Sequence, residues 1–167
     1  MKNLSYCAEL VLKEDHDGFL AALFVPAPER EALLALAALN VELAHVREAV
    51  HEEMIGHIRY AWWQETIEAM YRGQPRQGQP VLEALMPLVT SGQLPQDALM
   101  ALVTRYRDAF PDAPQGVDTV MEELLAALLM PKAAANWRRA RGKIVCHRQR
   151  YGKGWNGWLA IKLLIGR

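Results

Sequence analysis

The stretch AALNVELAHVREA, residues 37–49, decides the fold. With the residues just before it, it sets apolar side chains at Leu33, Leu36, Ala37, Val41 and Ala44, a repeat of three and four residues that marks one face of a helix. Pro26 and Pro28 punctuate its start, so the pattern predicts a helix over residues 29–48. The same period extends in both directions. Residues 52–71 predict a second helix with Ile55, Ile58, Trp62, Thr66 and Ala69 on its buried face. GQPRQGQP, residues 73–80, has no apolar side chain and reads as a Pro/Gly loop. A short helix at 81–90 and another at 96–109, opened by Pro95, come next, and FPDAPQG at 110–116 breaks the chain again. VDTVMEELLAALLM is helical, and Pro131 restarts a long basic helix to about residue 150. No segment makes a good strand, and there is no internal repeat or low-complexity tract. The expected fold is all-α, a helical bundle.

A chain of 167 residues suffices for one domain with a real core. Its 51% apolar and 23% charged residues argue against wholesale disorder and against a membrane-spanning class. MKNLSYCAEL at the N-terminus carries no long apolar run, so no signal or transit segment is expected and the default location is cytoplasmic. Cys7 and Cys146 fit no metal-binding spacing and are expected as reduced thiols. The zero net charge hides a division. Ten Lys and Arg and no acid follow Glu123, whereas all 19 acids lie at or before it, which gives about −10 and +10. One helical domain over 1–167 is expected, with an acidic body at 1–110 and a basic helical segment at 117–167.

The run from Asp15 to Gly73, DHDGFLAALFVPAPEREALLALAALNVELAHVREAVHEEMIGHIRYAWWQETIEAMYRG, resembles the squalene/phytoene synthase family. The points of likeness are Asp15 with Asp17 ahead of FLAALF, Pro26, LNVELAHVRE, MIGHIR and the Trp62–Trp63 pair. The likeness covers roughly residues 15–110, and it is greatest to the branch that contains a mitochondrial complex I assembly factor and its alphaproteobacterial relatives. The resemblance implies a truncated isoprenoid-synthase-like fold. Enzymes of the family join two prenyl diphosphates, and Mg²⁺ on the diphosphates needs carboxylate clusters on facing helices. The first cluster is expected at residues 44–48, which here read Ala44, His45, Val46, Arg47 and Glu48, so that only Glu48 keeps a carboxylate. For the second, DAFPD spans Asp108 to Asp112, and Pro111 disrupts the helix that would aim both inward. The helix keeps its frame and has dropped its ligands. The function implied by the resemblance is therefore that of a non-catalytic binding or assembly factor, in respiratory complex I biogenesis at the membrane, with no cofactor and with Asn40, Arg59 and Trp63 as ligand or partner contacts. The alternative is a Mg-dependent prenyl-diphosphate transferase, or an isoprenoid- or lipid-binding enzyme, with a remodelled site.

Other constellations have plainer readings. His45, Glu48 and Glu52 share a helix face and could hold a metal ion, but an exposed polar face accounts for them better and no metal is expected. The Trp pair is read as packing, with Trp62 buried in phase with Ile55 and Ile58 and Trp63 less so. Asp15 is positioned to cap the next helix. The C-terminal segment interleaves bases and tryptophans: Arg138, Arg139, Arg141, Lys143, Arg148, Arg150, Lys153, Trp155, Trp158 and Lys162. That pattern suits peripheral docking on an anionic membrane, at the inner face. Docking of the basic segment on the acidic body explains it equally, and nucleic acid is not expected as a partner. A protein partner, a prenyl or lipid ligand and self-association complete the expected partners. WLAIKLLIG, residues 158–166, is too short to span a bilayer.

Overall fold

The computed structural model describes residues 4–128, 137–144 and 146. Seven helices run in chain order: α1 (Tyr6–Glu14), α2 (His16–Ala22), α3 (Ala27–Ala49), α4 (Glu53–Tyr71), α5 (Pro80–Thr90), α6 (Gln96–Ala109) and α7 (Val117–Leu128). Residues 137–144 are also helical, and the described residues contain no strand. The fold is all-α, as expected.

Local chemistry sets the helix starts. The Ser5 hydroxyl accepts from the Ala8 N–H at 3.3 Å and opens α1, and the Asp15 carboxylate accepts from the Gly18 N–H at 3.0 Å and opens α2. Pro28 lies in the first turn of α3, where a missing N–H costs nothing. The Arg30 guanidinium folds back on the chain entering that helix, donating to the Val25 carbonyl at 2.9 Å. The Gln79 side chain accepts from the Val81 N–H at 2.7 Å and opens α5.

α3 is the centre of the bundle. It packs on α1, α2, α4, α5, α6 and α7, and Leu33, Leu34, Leu36, Leu39 and Leu43 are almost wholly buried on several of its sides. A helix buried nearly all round is what a stretch rich in Leu and Ala, with few charges in its middle turns, allows.

The phase expected for α4 is wrong. Its buried residues are Gly56, Tyr60, Trp63, Thr66, Ile67 and Met70, whereas Ile55 and Ile58 are exposed and Trp62 is at the surface. Apolar side chains occupy two adjoining stripes of this helix, and period alone fits both. Contacts across the bundle choose between them. Gly56 lets α4 approach α6: a Cβ there would stand 2.3 Å from the Phe110 ring. One turn on, the Tyr60 hydroxyl donates to the Leu43 carbonyl at 3.1 Å, and its ring lies 5.9 Å from that of Phe110. Burial pushes the Tyr60 hydroxyl up to about 12.

The described residues 137–144 of the basic segment turn an apolar side to the core. Trp137, Ala140 and Ile144, spaced by three and four residues, are buried in the same core as Leu124 and Leu125 of α7. Arg138, Arg139 and Lys143 are exposed. The Arg141 guanidinium lies 5.2 Å from the centre of the Trp137 ring. Arg148, Arg150, Lys153, Trp155, Trp158 and Lys162 lie outside the described residues.

Candidate functional site

The α3 stretch 40–49 presents side chains to two cavities. The larger is a cleft of about 350 Å³ between the C-terminal half of α3 and α4. Glu42, His45, Val46 and Ala49 form one wall, Arg59, Trp62 and Trp63 the other, and Gln79 closes an end. The two indoles meet edge to face with centres 5.0 Å apart. The smaller cavity, about 30 Å³, is lined by Asp15, Ala37, Asn40, Trp137 and Arg141 among others, and it has room for about one water molecule. The buried Trp137 indole N–H has no protein partner among the described residues.

The three positions of the expected first cluster do not converge. Ala44 packs against the core. His45 faces α1, its Nε2 3.6 Å from a Glu14 carboxylate oxygen, while Lys13, 2.7 Å from Glu14, holds that carboxyl below its usual range. Glu48 is exposed. Of the second candidate cluster, Asp108 lies 2.9 Å from Arg107 at the surface, α6 ends at Ala109 and Asp112 is exposed. Among the described residues the acid lining the small cavity is Asp15, whose Oδ1 accepts from the Gly18 N–H. Mg²⁺ on a diphosphate needs several hard oxygens arranged around an octahedron, and this donor set does not fit it. Among the described residues no three His, Cys, Asp or Glu side chains are grouped to hold a metal ion, and His45, Glu48 and Glu52 form no such group.

The expected contact residues separate. Arg59 and Trp63 share the α4 wall of the cleft, whereas Asn40 faces the other cavity, its Oδ1 accepting from the Tyr106 hydroxyl at 3.0 Å. Glu42, Val46 and Ala49 were not singled out from sequence. Their spacing with His45, by three and four residues, is the helical signal that places them on one wall. Gln79 reaches the cleft only through the fold and carries no such signal.

The squalene/phytoene synthase family matches residues 11–134, about three quarters of the chain. Among curated proteins the chain is similar to NADH dehydrogenase (ubiquinone) complex I, assembly factor 6 of Homo sapiens, 41% identical over 98 residues, which are 59% of this chain and 29% of the human protein. The Bos taurus protein of the same name is 38% identical with the same coverage. The Drosophila melanogaster homolog is 33% identical over 104 residues, 59% of this chain and 31% of that protein. The chain thus spans about three tenths of the length of these relatives. No solved structure matches it.

Proposed function

The chain belongs to the squalene/phytoene synthase family, and from that premise we propose that it is a non-catalytic member acting as a binding factor in the assembly of respiratory complex I. The observation that carries the proposal is the state of the first-cluster positions: Ala44 packed against the core, His45 beside Glu14 and Glu48 in solvent. A helix that keeps its place at the centre of the bundle and loses the carboxylates has kept what binding requires and shed what condensation requires. The names of the relatives supply the process. A single domain over 1–167, with an acidic body and a basic segment, is part of the same reading.

The basic segment supports work at an anionic membrane surface, on its inner face. Its apolar side is occupied by the body, so Arg138, Arg139 and Lys143 are left to meet lipid headgroups, each contributing about 1 kcal/mol. No helix among the described residues is long and apolar enough to cross a membrane. A prenyl or lipid ligand is a second reading, favoured by the 350 Å³ cleft with its tryptophan pair and Arg59. Self-association is a third element of the reading.

One experiment tests the proposal. In cells lacking this chain, assembled complex I is measured by native gel electrophoresis after re-expression of the wild type, of Glu48→Ala, or of a variant with Ser at 138, 139 and 143. Glu48→Ala is expected to restore assembly as fully as the wild type, and the Ser variant to leave the membrane fraction and restore less. Normal complex I in the deleted cells, or failure of Glu48→Ala alone, refutes the reading.

A further inference from the structure

The first half of α4 carries an apolar face that no described part of the chain covers. Met54, Ile58 and Trp62 succeed one another at four-residue intervals and are 75%, 61% and 36% exposed, with Ile55 beside them at 42%. Single exposed apolar residues are ordinary, but four contiguous ones along a helix mark a contact surface. Two charges beside this face stand ready for a partner. Glu52, at the start of the helix, makes no capping bond with its side chain, and Arg59 forms no ion pair within 4 Å among the described residues.

We propose that this face packs against the same face of a second copy of the chain, α4 antiparallel to α4, with the two-fold axis beside Ile58. The proposal rests on the self-association reading above and extends it by naming the face and its register. A two-fold contact must be complementary to itself, and this stripe is. With Ile58 on the axis, it meets Ile58 of the second copy, and Met54 meets Trp62, a sulfur on an aromatic ring. Antiparallel packing brings like flanks of the two helices together. Glu52 and Arg59 share the flank that adjoins the cleft, so Arg59 of each copy comes within side-chain reach of Glu52 of the other. Parallel packing brings unlike flanks together, so Glu52 and Arg59 of one copy would lie across the seam from those of the other and the pairs would be lost, which favours the antiparallel arrangement. Four apolar side chains make a small core, so the dimer is a weak one, at the low end of interface sizes.

The test is the mass of the full chain by sedimentation equilibrium up to about 100 μM. The expected mass tends to twice 18.8 kDa as concentration rises. Ile58→Glu should raise the dissociation constant about 100-fold while leaving the circular dichroism unchanged. Glu52→Arg should raise it about 10-fold, and Glu52→Arg with Arg59→Glu should restore it, since the swap rebuilds both pairs. In a Cys146→Ser background, which removes the exposed native thiol, Ile58→Cys should form an intermolecular disulfide, and a cysteine at the exposed Leu23 should not. A chain monomeric at every concentration overturns the proposal. So does a dimer that tolerates Ile58→Glu and does not cross-link at 58, which would keep self-association but move it to another face. Vesicle binding by a monomeric chain that is lost in Ile58→Glu assigns the face to lipid and overturns the proposal as well.

Discussion

Trp63→Ala is expected to remove about 3–5 kcal/mol of folding stability, and Trp62→Ala less than about 1 kcal/mol, when both are measured by chemical denaturation at concentrations that keep the chain monomeric. The indoles are neighbours in sequence and in contact, yet Trp63 is 4% exposed and Trp62 36%. Trp63 belongs to the stripe of Tyr60, Ile67 and Met70, and its removal leaves a cavity between α4 and the rest of the core that rigid helices cannot close. Trp62 gives up a face already open to water. Equal costs for the two substitutions would mean that α4 is rotated by one residue from the phase described here.

The second large effect concerns the basic segment. Trp137→Ala is expected to cost about 3–5 kcal/mol, because the ring is 6% exposed and seats the helical residues 137–144 in the common core. Arg141→Ala should cost about 0.5–2 kcal/mol through the lost cation–π contact. The alternative anchor, charge attraction between a basic segment and an acidic body, predicts another pattern. Trp137→Ala would then matter little, and the wild type would lose stability as salt shortens the Debye length from about 10 Å at 0.1 M to about 3 Å at 1 M. Denaturation of the wild type and of Trp137→Ala at both salt concentrations separates the two.

The fold was legible where backbone chemistry punctuates the chain. The helix expected at 96–109 is α6, Gln96–Ala109, because Pro95 opens it and Phe110–Pro111 closes it. Asp15 caps α2 as its position suggested. α1 was not singled out. Its buried residues, Cys7, Ala8 and Val11, are small and stand in a polar context, so the helix is defined by its packing on α3 and α5. The phase of α4 was illegible for the opposite reason: the helix has more apolar residues than one face needs, and the surplus, Met54, Ile55, Ile58 and Trp62, forms the exposed stripe. Half of the candidate site could be read. The loss of the carboxylates is a matter of residue identity, whereas the cleft exists only because α3 and α4 lie side by side, a juxtaposition that no single helix encodes. The charge division of the chain was visible, but its use was not. Trp137, Ala140 and Ile144 lie in the buried core, and Arg138, Arg139 and Lys143 of the same helical stretch are exposed.

The direct test of the proposed lack of catalysis is incubation of the purified chain with farnesyl or geranylgeranyl diphosphate and Mg²⁺, followed by assay of the condensed product and of released diphosphate. Neither should rise above the protein-free blank, since Ala44, His45 and Glu48 bring no set of hard oxygens together for the metal. Condensed product that disappears on Glu48→Ala would show that the site still works, and would contradict the assignment of this chain as a non-catalytic member of its family.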